Sequence, residues 1–152
     1  MSITIAESKA ARDLESEINQ TCGGGVTLAL CRHPFVARGP EAAVAVSKSF
    51  GELLFETHPD PGKLRSLDRN TALQIATSWL ATDLVYGDEI APPDTVRPYV
   101  HRFLALLPDA EIFTNVYGEG KGWYPLTQST FDAALILLGP ETAAILCMQG
   151  ND

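Results

Sequence analysis

Two nearly continuous apolar segments near the C-terminus limit the possible folds of this chain more than any other feature. They run from Thr130 to Leu138 and from Thr142 to Met148, on either side of Gly139-Pro140-Glu141. Two short apolar segments joined by turn-forming residues predict an antiparallel β-hairpin. Because apolar residues occupy intervening as well as alternate positions, at least part of the hairpin should be covered on both faces.

The N-terminal part of the chain predicts a helix followed by a strand. Thr4 and Glu7 have the spacing of a capping box, in which the hydroxyl and the carboxylate satisfy free amides at a helix start. The helix should end at Cys22-Gly23-Gly24-Gly25, and Val26 to Cys31 is an apolar run rich in strand formers. These glycines lack the Gly-Lys-Ser/Thr of a phosphate-binding loop, so we interpret them as a helix-to-strand turn.

Three more helices are predicted before the periodicity changes at Asp109. Each has apolar side chains at helical spacing, and each begins at a residue suited to a helix start. The predicted starts are Pro40, then Asp68 or Asn70, then Asp94 or Thr95. The second helix of the chain should stop before His58-Pro59, and the third should close at Tyr86-Gly87.

The order of these elements predicts the fold class. Helices dominate up to Asp109, and strand patterns follow, with Ile112 to Val116 as a further strand and 118–122 as a glycine-rich loop. This order favours α+β over a regular βαβ repeat. A length of 152 residues suits one domain. We therefore predict a single α+β domain over residues 1–152, with about four helices and a small, mainly antiparallel sheet that includes the C-terminal hairpin.

The charge balance restricts the possible partners. Nineteen acidic and eleven basic residues give a net charge of −8. A nucleic acid is bound through clustered Lys and Arg, so it is not an expected partner. A basic protein, or a basic cleft on a protein, is the complementary one.

No segment has the pattern of a secretory signal or a membrane span. The start, Met1 to Glu7, lacks a basic stretch and an uninterrupted apolar run. The longest apolar runs are far shorter than the roughly 20 residues that cross a bilayer. We expect a cytoplasmic protein without a membrane partner, in which Cys22, Cys31 and Cys147 are reduced thiols.

The residues suited to catalysis form no convincing arrangement. Cys31 and His33 are two apart on the predicted strand and so should point to one face, but a triad also needs a third, orienting group. The histidines and cysteines lack the paired spacing of a zinc site. We therefore expect no catalytic residue, no metal and no cofactor. The alternative is a small hydrolase or transferase that uses Asp83, Asp88, or Cys31 with His33.

Two segments carry residues suited to protein recognition. Acidic side chains cluster around the end of the third helix, where they form either a solvated helix end or a docking surface for Arg and Lys. Between 114 and 125, glycines and aromatic residues mix, and such aromatics serve either as interface anchors or as core. For Trp123 both interpretations stay open. The predicted partner-binding residues are Asp83, Tyr86, Asp88, Glu89, Tyr117, Glu119, Trp123 and Tyr124.

Three short motifs give roughly the C-terminal half a resemblance to a known class of proteins. The motifs are Thr82-Asp83-Leu84-Val85-Tyr86-Gly87-Asp88-Glu89-Ile90, Phe113-Thr114-Asn115, and Gly122-Trp123-Tyr124-Pro125-Leu126-Thr127 running into Ser129-Thr130-Phe131-Asp132. In these motifs the chain resembles the small immunity proteins encoded beside bacterial toxins and secreted effectors. Their last strand tends to end in several acidic residues, whereas this chain ends Cys147-Met148-Gln149-Gly150-Asn151-Asp152.

The resemblance implies a function without catalysis. A protein of this class binds its cognate toxin and blocks the toxin's active site, and without an export signal the two would meet in the cytoplasm. Many such toxins present a basic cleft, which an acidic inhibitor can fill. A structural adaptor is a third possibility, beside the immunity protein and the small enzyme.

Overall fold

The computed structural model describes residues 3–33, 39–57, 64–117, 122–123, 126–129 and 131–150, and gives the backbone alone at Tyr117, Gly122, Trp123 and Phe131. Within these ranges the chain forms four helices and eight strands. In chain order they are β1 (Thr4–Ala6), α1 (Lys9–Cys22), β2 (Val26–Arg32), α2 (Pro40–Phe55), β3 (Arg65–Leu67), α3 (Arg69–Ala81), α4 (Pro93–Ala105), β4 (Glu111–Thr114), β5 (Val116–Tyr117), β6 (Gly122–Trp123), β7 (Phe131–Leu138) and β8 (Thr142–Gly150). The predicted α+β class is confirmed.

Six of the strands form one antiparallel sheet, in the order β1-β2-β8-β7-β4-β3. The hairpin of β7 and β8 lies at its centre, with Leu138 opposite Ala143 at the turn end and Phe131 opposite Gly150 at the open end. This confirms the predicted C-terminal hairpin, apart from Thr130, which lies outside the described residues. A separate two-stranded sheet pairs β5 with β6.

Helices cover both faces of the six-stranded sheet. Leu135 and Leu137 of β7 pack in the core beneath α1, α3 and α4. Ile136, between them, packs in a second core with Val46 and Phe50 of α2. Successive residues of a strand point to opposite faces, so a strand buried on both faces is apolar throughout. The apolar run from Ala133 to Leu138 in β7 is therefore explained by its central position.

The first helix begins later than its capping-box pattern predicted. Thr4 belongs to β1, where it pairs with Arg32 at the edge of the sheet. The helix starts at Lys9, and its N-cap is Ser8, whose hydroxyl accepts a hydrogen bond from Ala11 N at 3.2 Å. Ser8 is one of the residue types that satisfy free amides at a helix start, so it replaces Thr4 in that role.

The other helices also differ at their ends. The third helix ends at Ala81 rather than at Tyr86-Gly87, because the next residues form a turn held by Asp83. The fourth begins at Pro93, so Asp94 lies in its first turn and does not cap it. The predicted strand from Ile112 to Val116 is interrupted at Asn115, between β4 and β5.

Side chains of α1 form hydrogen bonds with the backbone of β2 in the part of that strand that the short strand β1 does not reach. Asn19 accepts a hydrogen bond from Val26 N at 3.0 Å and donates to Val26 O at 2.8 Å. Glu15 Oε2 accepts from Leu28 N at 2.7 Å. These groups supply the pairing that a neighbouring strand would give, and so protect this edge of the sheet.

Candidate partner-binding surface

The acidic residues after α3 lie on a well-bonded segment, residues 82–91, which we call the acidic turn. Asp83 Oδ1 accepts hydrogen bonds from Val85 N at 2.7 Å and from Tyr86 N at 2.8 Å. The backbone of Asp83 also bonds Gly87 N and Asp88 O, at 2.9 and 2.8 Å. An aspartate that bonds nearby amides in this way fixes a turn. The carboxylate of Asp83 therefore shapes the segment, a role that its sequence position did not reveal.

The outer side of the acidic turn presents apolar and acidic groups together. Tyr86 is 71% exposed and Ile90 is 44% exposed, two of the four large apolar side chains that are exposed among the described residues. Asp88 and Glu89, between them, are exposed and form no ion pair with any residue that the structure describes. An exposed aromatic side chain beside free carboxylates is suited to an interface with a basic protein.

A cavity of about 170 Å³ lies behind the acidic turn, and we call it the β8-end cavity. It is bounded by the turn at Gly23–Gly25, by the end of α3 with the start of the acidic turn, and by the last residues of β8. The lining residues are Cys22, Gly23, Gly24, Gly25, Val26, Trp79, Leu80, Thr82, Asp83, Leu84, Ile90, Met148, Gln149 and Gly150. Within the described ranges, the lining thus contains one acidic residue, Asp83, and no Lys, Arg or His.

The second predicted segment, the glycine and aromatic loop, is anchored by the buried carboxylate of Asp132. Asp132 is 2% exposed. Its oxygens accept hydrogen bonds from Asn115 Nδ2 at 2.7 Å, from Thr127 N at 3.0 Å and Thr127 Oγ1 at 2.9 Å, and from Leu126 N at 3.2 Å. Burial raises the pKa of Asp132, and the donors of Thr127, Leu126 and Asn115 oppose that rise. Asp132 therefore ties both ends of the loop to the start of β7.

The structure places only part of that loop. The backbone of Tyr117 pairs with Gly122, and Trp123 pairs with Val116, in the two-stranded sheet. The side chains of Tyr117 and Trp123 are outside the description, and so are Glu119 and Tyr124 entirely. Whether Trp123 is core or interface therefore stays an open prediction.

The open end of the central hairpin joins the two predicted segments. Gln149 Nε2 donates a hydrogen bond to Ser129 Oγ at 2.9 Å, which attaches the segment after the loop to β8. The neighbouring Gly150 approaches the acidic turn so closely that a Cβ atom on it would lie 3.1 Å from Leu84 Cβ and 3.2 Å from Val85 Cγ2. Both segments therefore meet the end of β8, and we take this region as the candidate surface.

The cysteine and histidine considered for catalysis are structural in their contacts. Cys31 is fully buried against α2, and burial raises the pKa of its thiol to about 11. His33 is buried, with Nε2 2.8 Å from Gly139 O. Cys22, Cys31 and Cys147 are all buried free thiols. Over the described ranges, no group of three or more His, Cys, Asp or Glu side chains is placed to hold a metal ion.

Sequence reasoning found the acidic turn but missed the cavity behind it. Asp83, Tyr86, Asp88 and Glu89 are near neighbours in the chain, so their clustering is visible in the sequence. The cavity combines the three glycines, the end of α3 and the end of β8, which are far apart in the chain. In the sequence, the one signal of a cavity was the run of three glycines, because glycines have no side chains to fill the space beside them.

Comparisons with known proteins identify no relative. No family profile, curated protein or solved structure matches the chain. None of the helices in the described part of the chain has the length and apolar character needed to span a membrane.

Proposed function

We propose that this chain is an immunity protein that binds a cognate bacterial toxin in the cytoplasm and occludes its active site. One observation carries the proposal. Tyr86 and Ile90 are exposed beside the unpaired carboxylates of Asp88 and Glu89, on a turn whose backbone is already fixed by Asp83. The resemblance of the 82–90 motif to small immunity proteins supports the same function.

The charge of the surface suits a basic partner. Some exposed acids elsewhere on the protein pair with the chain's own bases, as in Glu17 with Arg102 at 2.7 Å and Asp13 with Lys9 at 2.7 Å. Asp88 and Glu89 have no such partner within the described residues. Their field would attract a basic cleft over a distance of about 10 Å at moderate salt and so speed the encounter.

The rigidity of the acidic turn favours tight binding. A loop that is ordered before binding loses little conformational freedom when the complex forms. The bonds from Asp83 to Val85 and Tyr86 hold the turn in one shape. Tyr86 can therefore insert into the partner as an anchor, since an aromatic side chain buries a large area at a small rotamer cost.

The alternative function, a small hydrolase or transferase, gains no support from the contacts of its candidate residues. The thiol of Cys31 is buried, and with a pKa of about 11 it is protonated near neutral pH, whereas a nucleophilic cysteine acts as the thiolate. One oxygen of Asp83 already holds the backbone of the acidic turn. A structural adaptor that binds no toxin stays possible as an outcome of the experiment below.

Co-expression with the product of the adjacent gene tests the proposal. We expect the parent chain to protect bacteria from that protein, and the purified pair to form a complex. A variant with Tyr86→Ala, Asp88→Lys and Glu89→Lys should fold normally and lose protection. The control is Asp109→Lys, which changes one exposed carboxylate at the opposite end of the α3–α4 pair. The proposal fails if the neighbouring gene encodes no toxin, or if the triple variant protects as well as the parent.

A further inference from the structure

We propose that the β8-end cavity receives an arginine side chain of the partner protein. This inference rests on the proposed function and adds the chemistry of one contact. Part of the cavity lining, including the exposed Ile90, belongs to the acidic turn. A partner that covers Tyr86 and Ile90 would therefore also contact the cavity lining.

The size of the cavity fits a single side chain. Its volume is about 170 Å³. A closed site of about 150 Å³ accommodates a benzene-sized group, whereas sites for cofactors and drug-sized ligands are commonly about 300 Å³ or larger. A nucleotide or coenzyme is therefore too large, and the planar end of an arginine side chain is of suitable size.

The charge around the cavity favours a cation. Two helices, α1 and α3, end at its wall, and neither has a basic residue in its last turn. A helix C-terminus carries a partial negative charge, which basic residues usually offset. Among the residues that the structure describes, no Lys, Arg or His lines the cavity. The negative potential of the two helix ends is therefore left for a positive group from outside.

Asp83 belongs to the cavity lining and has one carboxylate oxygen that is free to accept a hydrogen bond. Its Oδ1 accepts the hydrogen bonds of Val85 and Tyr86, while Oδ2 accepts none from the residues that the structure describes. A carboxylate oxygen held in a fixed position is a favourable acceptor for a guanidinium group, because such charge-assisted bonds are strong.

The remaining walls favour arginine over lysine. Trp79, Leu80, Leu84 and Met148 provide aromatic and apolar lining. A guanidinium group is planar, weakly hydrated and stacks on aromatic rings, whereas an ammonium group is compact and strongly hydrated. Gly23 and Gly24 in the lining are exposed, and a Cβ atom on either would meet no atom within 4 Å. The backbone of this part of the lining is therefore open to a flat group.

Titration of the isolated protein with N-acetyl-arginine methylamide tests the inference by NMR. We expect saturable shifts at the amides of Gly23, Gly24 and Gly150 and at the indole of Trp79, with a Kd in the range of about 1–10 mM. The neutral citrulline analogue should cause no shift, and the lysine analogue should bind more weakly. Asp83→Asn keeps a side-chain oxygen for the turn and removes the charge, so it should weaken arginine binding about threefold. Asp109→Asn is the matched control and should leave binding unchanged.

The inference is overturned if the parent protein shows no shift with the arginine compound, or if the citrulline or lysine analogue shifts the same signals equally. These comparisons use the parent protein, so they hold even if Asp83→Asn fails to fold. The titration needs no partner. Its failure would leave toxin neutralisation intact, and a failure of the proposed function would appear only in the co-expression experiment.

Discussion

Asn115 Nδ2 donates a hydrogen bond to Asp132 Oδ1 across 2.7 Å, and both side chains are buried in the protein. Asn115 Oδ1 in turn accepts from Ala134 N at 2.8 Å. Asn115 stands where β4 gives way to β5, and Asp132 and Ala134 are in β7. The pair therefore continues the connection between these two parts of the sheet after regular strand pairing has ended.

Replacing the carboxylate of Asp132 should destabilise the fold. In Asp132→Asn, one acceptor oxygen becomes an NH₂ group that faces the donors of Leu126, Thr127 or Asn115. Leaving buried donors without an acceptor costs about 2–3 kcal/mol of unfolding free energy, measured by urea denaturation. Asp109→Asn, an exposed control, should change it by less than about 0.5 kcal/mol. Equal stability of the two variants would contradict the role assigned to Asp132.

The three glycines between α1 and β2 should differ in their tolerance of alanine. Gly25 has φ of +77°, and a Cβ atom there would lie 2.9 Å from the backbone oxygen of Gln149. Gly23 has a similar φ of +84°, but its Cβ would meet nothing within 4 Å. Gly23→Ala should therefore cost about 1–2 kcal/mol through backbone strain alone. Gly25→Ala should cost at least about 1 kcal/mol more, because packing against β8 is also disturbed.

The measurement is the unfolding free energy of both variants by urea denaturation, with circular dichroism to establish that each folds. If Gly25→Ala is no less stable than Gly23→Ala, the close approach of Gly25 to Gln149 has no energetic consequence.

The buried thiol of Cys31 should make stability fall at alkaline pH. Its pKa rises from 9.0 in the unfolded chain to about 11 in the fold, chiefly through burial. The folded state thus holds its proton more tightly, so the stabilisation is complete below pH 9 and is lost as pH rises towards 11. The stability advantage of the parent over Cys31→Ala should shrink by about 2 kcal/mol between pH 8 and about pH 10.5.

The check is urea denaturation of both proteins at several pH values in that interval. Cys22 and Cys147 are present in both proteins, so the difference isolates Cys31. A constant difference across the interval would show that the Cys31 thiol titrates alike in the folded and unfolded chains.

The acidic turn should act on a toxin complex through two separable kinetic effects. Asp88→Lys with Glu89→Lys should slow association and reduce its dependence on salt, because exposed charges act mainly by steering. Tyr86→Ala should speed dissociation by about 30-fold or more, the effect of losing about 2 kcal/mol at an interface anchor. Surface plasmon resonance with the cognate toxin measures both rates.

Stability controls separate binding from folding in that experiment. Tyr86 is 71% exposed, so its truncation should leave the melting temperature nearly unchanged. Charge reversal at Asp83 is unsuitable as a test of steering, because its carboxylate holds the amides of Val85 and Tyr86. If both variants keep the parent's rate constants, the acidic turn lies outside the interface.

The central hairpin was predictable because burial on both faces leaves two long, nearly continuous apolar runs in the sequence. The edge strands β1 and β3 were not predictable, because three residues are too few to show the alternation of apolar and polar side chains that identifies a strand. The end of α3 was misplaced because Leu84 continues the spacing of Leu80, so the pattern predicts helix beyond Ala81. After Ala81, the hydrogen bonds that Asp83 accepts from backbone amides outweigh the apolar periodicity of the helix. Asp and Asn side chains commonly compete with helical hydrogen bonding in this way at helix ends and turns.

The candidate surface was predictable only where its residues are close in sequence. The acidic turn is one segment, so its charge and aromatic content appear in the sequence directly. The partners of Asp132 lie 5, 6 and 17 residues away, and their convergence on it depends on how β7 returns beside β4. A buried carboxylate in an apolar strand signals such a partner set, but does not identify its members.

The hydrogen bonds between side chains of α1 and the backbone of β2 also indicate an order of folding. Glu15 and Asn19 lie only 13 and 7 residues from the backbone groups that they bind. Contacts this local close a short loop and so form at a small entropic cost. On its other side from α1 and the short strand β1, β2 pairs with β8, and this pairing spans most of the chain, from Val26 to Met148. Helix α1, the three glycines and β2 therefore make a local unit that can assemble early and present one strand edge as the template on which the C-terminal hairpin completes the sheet.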